Sequence, residues 1–555
     1  MPFAATKPVT EPSILPLEFT LPEVTLPAVL PNDIDSLRAL LYTQQKAHDA
    51  VKLKALNQIS YLFEQFVLLR HRHFGISAET LSAQARLFDE AEALAQTTTE
   101  AQDIAALPPA STPPESKHKP ARGKRGPLPA ELKRVEIVHD VPEAERICPC
   151  GTPMVEIGQD VSEQLDIVPM QVRVLRHIRK RYGCPGSVHA PITAPLPPQP
   201  LPKSNASADF LAMLLTVKFV DGLPLSRFGK VLGRHGVPVP DQTLARWVIG
   251  SCQVLQPLHN LLRDALFDGT VLHIDETVVQ VLKEKGKKPT SNSYMWVQTG
   301  GPPGKSVVIF DYDPSRSGEV PVRLLDGYRG YLMTDGYDGY NKIASIDGIE
   351  RLVCFAHVRR RFVDAVKVQP KGKRGRADEA VAMIGKLYRI ERDHKDASDE
   401  ERLMARQQLS VPVLAALHTW MEQALPVVAP KSVLGTALSY LRDYWGMLTR
   451  YTERGDLPID NNRCENAIRP FVVGRRAWLF SDTPAGAHAS AVIYSLVETA
   501  KANGLEPYTW LRRVLRDLPA AKTVEDVEAL LPWNVNSVQD ASQTASVDAA
   551  PMAAV

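Results

Sequence analysis

Cysteines and long apolar runs are both scarce in this chain. It has 6 cysteines in 555 residues, and Cys252, Cys354 and Cys464 stand isolated in the sequence, so it cannot build a disulfide framework. The longest apolar run, residues 210–220, contains Lys218 and is far too short to span a bilayer. The first residues also lack the basic and apolar regions of a secretory signal. These absences exclude a disulfide scaffold and a membrane protein, and they predict a cytosolic globular protein with no membrane partner.

An excess of charge of either sign is also lacking. The chain has 65 Lys and Arg residues against 63 Asp and Glu residues, a net charge of +2. Any affinity for nucleic acid must therefore come from local patches. Residues 117–125 carry five Lys or Arg and no acid, and residues 351–376 carry nine against one acid. Because such runs are often only solvated surface, both interpretations stay open for each patch.

Composition and periodicity divide the chain into successive segments. Apolar residues recur every three to four positions from Ile34 to about His71, and Asn32 or Asp33 precedes them as a helix cap. This amphipathic helix either packs as a hairpin with residues 81–95 or self-associates as a coiled coil. The N-terminal part is predicted to comprise disorder over 1–31, a helical or coiled-coil segment over 32–95, a basic linker over 96–134 and a small β-rich module over 135–200. A helix-turn-helix-like segment over 201–262 then precedes an α/β domain over 263–485, which has a helical insertion at about 376–452. The chain is predicted to end with a helical segment over 486–535 and disorder over 536–555.

The small module has two clusters of soft metal ligands on either side of a strand-like stretch. Residues 162–183 alternate in the manner of β-strands. The flanking Cys148, Cys150, Cys184 and His189 could hold a structural Zn²⁺ tetrahedrally, although their spacing is unusual and a module without metal is the alternative. Basic side chains in the stretch form a ribbon that could contact phosphates: Arg173, Arg176, Arg179, Lys180 and Arg181.

A pair of helices is predicted after the next proline-rich linker. The pattern indicates a helix, a turn around Gly236, and a second helix capped by Asp241. The second helix would present Gln242, Thr243 and Arg246 near its N-terminal end, where a recognition helix contacts DNA bases. Most helix pairs of this kind are only structural, which is the alternative here.

Residues 271–358 change to a strand period. Three β-rich runs with hairpin-type connections precede a short helix, a strand, a helix and a further strand. This order predicts a ribonuclease-H-like sheet, in which the middle of the first strand lies beside the end of the fourth. Asp275 lies within the first run and Asp335 ends the fourth. Paired carboxylates suit Mg²⁺ or Mn²⁺, whereas either aspartate alone could simply cap a helix.

Glu465 is the candidate for the third carboxylate that such a metal site normally needs. It lies near the start of a helix predicted to end at about Pro470. Its alternative role is an ion pair with Arg469 one turn along the helix, worth about 0.3–0.5 kcal/mol. Arginines expected beside phosphates follow closely in sequence: Arg469, Arg475 and Arg476.

Taken together, these motifs resemble the insertion sequence 66 (IS66) family of DDE transposases. The matching stretches are HIDET, YLMTDGYDGYN, CFAHVRRRF and DNNRCENAIRPFVVGRRAWLF, with DVSEQLDIVPMQVRVLRHIRKRYGC and LLRHRHFG upstream. The resemblance covers nearly everything from about 35 to 535. It also implies a zinc-finger-like module with paired C-x2-C knuckles, a pattern from which this chain departs at both ends.

The resemblance assigns roles to particular residues. It implies that Asp275, Asp335 and Glu465 form the catalytic, metal-binding triad. Cys354 and His357 match a C-x2-H element that braces the site, since two ligands alone do not make a zinc site. The implied fold is a multidomain α+β protein with a ribonuclease-H-like core, a helical insertion and a zinc-finger-like module.

The implied activity is binding of the element's terminal inverted repeats, strand cleavage with Mg²⁺ or Mn²⁺, and joining of the ends to target DNA. Two ends must be processed together, so we expect a homodimer or larger synaptic complex, and the family suggests small accessory proteins. One alternative is a non-catalytic DNA-binding protein derived from a transposase. The other is a tyrosine recombinase, but the chance His-x-x-Arg match at 357–360 lies in a predicted β-rich sheet.

Overall fold

The computed structural model describes residues 33–74, 171–182, 192–369 and 374–535. They fall into two compact units. The smaller unit contains residues 171–182, 192–194 and 234–237, and the larger contains the other described residues. Within these ranges no helix is long and apolar enough to cross a membrane.

Several predictions concern residues outside the described ranges. They are the disorder over 1–31 and 536–555, the hairpin partner at 81–95, the basic linker over 96–134, and the zinc ligands Cys148, Cys150, Cys184 and His189.

The first helix, α1, spans Ile34–Phe74 and is 41 residues long. The predicted cap is confirmed, because the carboxylate of Asp33 accepts a hydrogen bond from the backbone N–H of Ser36 at 2.7 Å. Apolar side chains such as Phe63 and Phe66 are exposed on this helix. The helix therefore offers an apolar surface, while self-association stays a prediction.

The smaller unit contains one short antiparallel pair, β1 (Arg181–Tyr182) and β2 (Ile192–Thr193). The predicted strand over 162–183 is wrong for residues 171–180, which are described and form no strand. Val174 and Ile178 are 91% and 78% exposed. Alternating residues form a stable strand only where a neighbouring strand pairs with them and one face is buried, and here their apolar face is not buried.

The helices before the sheet are α2 (Ala208–Phe219), α3 (Leu225–Arg234) and α4 (Asp241–Phe267). The predicted helix pair is present as α3 and α4, with Gly236 at a φ of 80° in the turn. The predicted cap at Asp241 is wrong. The capping position is Pro240, and Asp241 is the first helical residue, because the extended backbone that proline favours ends the turn one residue earlier.

A five-stranded mixed sheet forms the centre of the larger unit. Its order is β5-β4-β3-β6-β7; β3, β4 and β5 are antiparallel, and β6 and β7 run parallel to β3. The predicted succession of three antiparallel strands and two later ones is confirmed. The strands are β3 (Val271–Gln280), β4 (Asn292–Gly300), β5 (Val307–Asp313), β6 (Gly330–Thr334) and β7 (Ile349–Val353), with the short helices α5 (Glu319–Leu324) and α6 (Asn341–Ala344) between the last three.

Helix α14 (Pro484–Ala502) covers the edge strand β5. The Ser495 hydroxyl accepts a hydrogen bond from Phe310 N at 2.8 Å, and the Thr499 hydroxyl accepts one from Val308 N at 3.0 Å. Backbone donors of an edge strand otherwise invite pairing with another chain, so α14 closes this side of the sheet. Two helices follow it, α15 (Pro507–Asp517) and α16 (Val524–Glu528).

A set of helices lies between α7 (Phe355–Lys367) and α13 (Asn462–Trp478). Their hydrophobic core is shared with α7, through Phe355 and Phe362. The two ends of this set of helices lie close together, since the backbone N–H of Phe355 donates a hydrogen bond to the carbonyl of Ile459 at 3.1 Å. The helices are α8 (Arg376–Asp393), α9 (Asp399–Ala405), α10 (Val411–Ala424), α11 (Val433–Asp443) and α12 (Trp445–Thr449), with a π-helical turn at Arg406–Ser410.

Candidate active site

Asp275 lies on β3, and Asp335 directly follows β6, the parallel strand beside it. His273 pairs with Met333, and two residues further along the same register Asp275 and Asp335 follow. Burial raises the pKa of Asp275 well above its ordinary value, and the charges of Glu276, Asp335 and Glu465 raise it further. The structure therefore brings the three predicted acids together, while their catalytic role stays a prediction.

The loop after β6 is tightly held. An oxygen of the Asp335 side chain accepts a hydrogen bond from Tyr337 N at 2.9 Å, so the acid also stabilises its own turn. Arg351, which is 1% exposed, donates to the Asp335 carbonyl at 2.8 Å. The Tyr444 hydroxyl donates to the carbonyl of Gly336 at 2.8 Å. A Cβ atom on Gly336 would lie 2.3 Å from the ring of Tyr440, so only glycine fits there.

Glu465 lies in the first turns of α13 and is 2% exposed. Its Oε1 is 3.7 Å from Nδ1 of His357 and its Oε2 is 3.9 Å from Nη2 of Arg360. Both distances exceed ordinary hydrogen bonds. The carboxylate thus lies in a buried setting beside two basic groups and the other two acids.

Helix α13 runs to Trp478, so its predicted end at about Pro470 is wrong. A proline inside a helix leaves the carbonyl four residues earlier without its donor, and that residue, Asn466, is exposed to water. The following Phe471 and Val472 are buried. Burial of these side chains therefore holds the helix together beyond the proline.

Asn461, which is fully buried, connects β3, the start of α7 and the helix α13. Its side-chain oxygen lies 2.9 Å from Nδ1 of His273, and its side-chain nitrogen donates to Ile274 O at 3.1 Å. Its backbone N–H donates to Sγ of Cys354 at 3.2 Å. Its carbonyl accepts the N–H of Glu465 at 3.0 Å. One residue therefore fixes the helix of Glu465 against β3 and the start of α7.

Cys354 and His357 lie at the start of α7, where Cys354 is the capping residue. Cys354 Sγ, a nitrogen of His357 and an oxygen of Glu465 all lie within 4.8 Å of one another. Burial lowers the pKa of His357 to about 4, outweighing the charge of Asp335, so the imidazole is neutral near pH 7. The structure thus places the predicted C-x2-H element beside Glu465, while its bracing role stays a prediction.

A second cluster next to the acids was missed by the sequence reasoning. Glu276 is 7% exposed and accepts hydrogen bonds from Nε of Arg316 at 2.7 Å and from the Tyr340 hydroxyl at 2.5 Å. The guanidinium of Arg316 lies 4.0 Å from the centre of the Tyr337 ring. Of the two acids in this strand, only Asp275 was predicted to lie in the site. The signal was present, since Glu276 is the second acid of HIDET.

The predicted basic residues differ in exposure. Arg476 is exposed at the end of α13, whereas Arg469 and Arg475 are half-buried, and Nη1 of Arg475 lies 3.4 Å from the Thr277 hydroxyl. In the helix pair, Arg246 and Gln242 are exposed and Thr243 is half-buried. In the smaller unit the basic ribbon is exposed: Arg173, Arg176, Arg179, Lys180 and Arg181.

Carboxylates gathered where β3 lies beside the end of β6, with arginines on the helix that carries Glu465, define a candidate site for chemistry on phosphate esters. Comparison with known families specifies the class. The chain belongs to the IS66 family of transposases, since residues 203–489 match the family described as "Transposase IS66 family". Further matches are the "IS66 C-terminal element" over 495–533, the "zinc-finger binding domain of transposase IS66" over 145–186, and "Transposase C of IS166 homeodomain" over 61–137. These matches support DNA as a partner.

Similar proteins occur in Sinorhizobium fredii (strain NBRC 101917 / NGR234). "Uncharacterized protein y4jD" is 30% identical over 459 residues, covering 79% of this chain and 89% of the relative. "Uncharacterized protein y4qI" is 29% identical over 546 residues, covering 91% of this chain and 98% of the relative. The zinc-finger match includes Cys148, Cys150 and Cys184 but ends before His189.

Proposed function

We propose that this protein is a DDE transposase with a ribonuclease-H-like core, which cleaves DNA at the ends of its insertion sequence and joins them to target DNA. The convergence of three carboxylates from three different elements carries the proposal. Asp275 comes from β3, Asp335 follows β6, and Glu465 comes from α13. Burial, followed by the charges of Glu276, Asp335 and Glu465, raises the pKa of Asp275.

The donor set fits Mg²⁺ or Mn²⁺. Hard carboxylate oxygens are the ligands that these ions prefer, together with substrate phosphates. Asp275, Asp335 and Glu465 would hold the metal, and a divalent cation would offset both the burial and the neighbouring negative charges that raise the pKa of Asp275. When bound, such ions activate a water or 3′-hydroxyl and stabilise the leaving oxygen of the phosphodiester.

The chain's own residues would position the DNA. The exposed Arg476 would contact a phosphate roughly 16 Å from Glu465, about three turns further along α13. Arg316, held by Glu276 and by the ring of Tyr337, would do so on the side of Asp335. In-line phosphoryl transfer of this kind needs no covalent enzyme intermediate, so no Ser or Tyr nucleophile is required.

Recognition of the inverted repeats would fall to the N-terminal modules. We assign phosphate contacts to Arg173, Arg176, Arg179 and Lys180, and base contacts to Arg246. A structural Zn²⁺ would be held by Cys148, Cys150, Cys184 and His189. A complex of at least two protomers would act on paired ends, with small accessory proteins of the element, and α1 would supply part of the contact.

A strand-cleavage assay tests the proposal. The substrate is a labelled fragment carrying the element's end, incubated with Mg²⁺, Mn²⁺ or EDTA. We expect metal-dependent nicking at the repeat boundary that Glu465→Gln abolishes while end binding is retained. Glu422→Gln, an exposed glutamate on α10, is the matched control and should cleave normally. Cleavage by Glu465→Gln would remove that residue from the triad, and binding without cleavage in the wild type with accessory proteins present would favour a protein that only binds DNA.

A further inference from the structure

The geometry points to a second cation site, formed by Cys354, His357 and Glu465, which binds a borderline-soft divalent ion such as Zn²⁺. It lies beside the all-carboxylate site and shares Glu465 with it. This inference goes beyond the proposed function, because binding of the ion can be measured without DNA or Mg²⁺.

The ligand atoms are already close together. They lie within 4.8 Å of one another, and Nδ1 of His357 is 3.7 Å from Oε1 of Glu465. Ligand atoms around a tetrahedral Zn²⁺ are separated by roughly 3.3–3.6 Å, given bonds of about 2.0–2.3 Å. The nitrogen–oxygen distance is therefore too long for a direct hydrogen bond but close to the separation that a shared ion imposes.

Local structure favours these three groups as ligands. Nδ1 of His357 is buried and makes no hydrogen bond to any residue that the structure describes, whereas buried polar atoms are normally satisfied. Sγ of Cys354 accepts the backbone N–H of Asn461 at 3.2 Å, and this contact holds the sulfur beside His357 and Glu465. Glu465, at 2% exposure, is a buried carboxylate whose charge a cation would offset.

The mixed ligand set distinguishes this site from its neighbour. A thiolate and an imidazole favour Zn²⁺ or Co²⁺, while carboxylates alone favour Mg²⁺ or Mn²⁺. Because Glu465 belongs to both sites, Zn²⁺ held by Cys354 and His357 would compete for the acid. Low concentrations of Zn²⁺ should therefore inhibit Mg²⁺-dependent cleavage by the wild-type protein.

Titration with Co²⁺ tests the site directly on the full-length chain. A cobalt–thiolate bond gives a near-ultraviolet charge-transfer absorption, so the number of thiolate-bound Co²⁺ ions can be counted. The wild type should bind one equivalent more than Cys354→Ser. Cys252→Ser, a half-buried free cysteine elsewhere in the larger unit, is the matched control and should bind as the wild type does.

A second variant separates ligation from folding. His357→Asn keeps a polar side chain at the start of α7 and should weaken Co²⁺ binding at this site by more than about tenfold. Circular dichroism and thermal unfolding without metal should match the wild type for both variants. Equal Co²⁺ stoichiometry and affinity in wild type, Cys354→Ser and His357→Asn would overturn the site, whereas loss of cleavage with this binding intact would count only against the proposed function.

Discussion

The side-chain oxygen of Asn461 lies 2.9 Å from Nδ1 of His273, and both residues are buried. This contact joins the strand of Asp275 to the capping residue of the helix that carries Glu465. Asn461 makes no contribution of charge to the site. It fixes the relative position of two acids that are far apart in the sequence.

Asn461→Ala should therefore impair cleavage through geometry. The substitution removes the partner of His273 and leaves Ile274 O without its donor, which costs about 1–3 kcal/mol in the free energy of unfolding. Displacement of Glu465 by about 1 Å should slow cleavage by about 100-fold. Urea unfolding and single-turnover cleavage measure the two effects.

Asn466→Ala provides the control for that substitution. Asn466 is exposed on α13, five positions after Asn461, so the stability and the cleavage rate of this variant should remain close to those of the wild type. If the two asparagine variants behave alike, the contact with His273 does not position Glu465.

Gly336→Ala should disturb Asp335. The added methyl group would lie 2.3 Å from the Tyr440 ring, so the loop that carries the acid must move. We expect cleavage to fall by about 100-fold. Gly385→Ala is the control: it lies in α8 with open space around it and should stabilise the helix by up to about 1 kcal/mol without changing cleavage. Normal cleavage by Gly336→Ala would show that the loop tolerates displacement.

Arg476→Ala should weaken DNA binding regardless of sequence, because a phosphate contact carries no base information. Loss of one such contact lowers the slope of log affinity against log salt concentration by about 0.9. Filter binding at salt concentrations from about 50 to 200 mM measures this slope. Arg442→Ala, an exposed arginine on α11 beside Asp443, should leave it unchanged. An unchanged slope for Arg476→Ala would place that side chain away from the DNA.

Asp209→Asn should give a pH-dependent loss of stability. Burial acts to raise the pKa of Asp209, but Arg516 and Arg512 outweigh it and the pKa falls below its ordinary value of 3.8. The carboxylate therefore stabilises the fold above that pH and loses its contribution as the pH falls through the lowered value. We expect a loss of about 1 kcal/mol at pH 7, after screening by solvent, that disappears in acid. Asp517→Asn, whose exposed carboxylate lies 3.7 Å from Nε of Arg513, is the control and should lose less stability at pH 7.

The strand order was predictable because each strand has a local pattern of alternating apolar residues and is bounded by turn residues. Asp275 and Asp335 could be paired from sequence, since the order of strands fixes which strand ends are neighbours. Helices α8 to α12 were predictable from their period for the same local reason. The absence of a strand at 171–180 could not be predicted, because alternation does not indicate whether a partner strand is present.

The rest of the site depends on contacts between distant segments. Glu276 was missed because its partners, Tyr340 and Arg316, reach it from segments that are distant in the sequence. The role of Asn461 was missed because its partners, His273 and Cys354, belong to distant parts of the sequence. Helix α13 continues beyond Pro470 because the burial of its later residues outweighs the tendency of proline to end a helix.

The contact of Gly336 with Tyr440 and Tyr444 also constrains how such a protein can diverge. The loop that carries Asp335 is shaped against helix α11 and the residue that follows it. Substitutions in this loop and in helix α11 should therefore occur together during evolution. A chimera that takes residues 376–452 from a distant relative should lose its activity, and transferring the loop at 335–340 from the same donor should restore it.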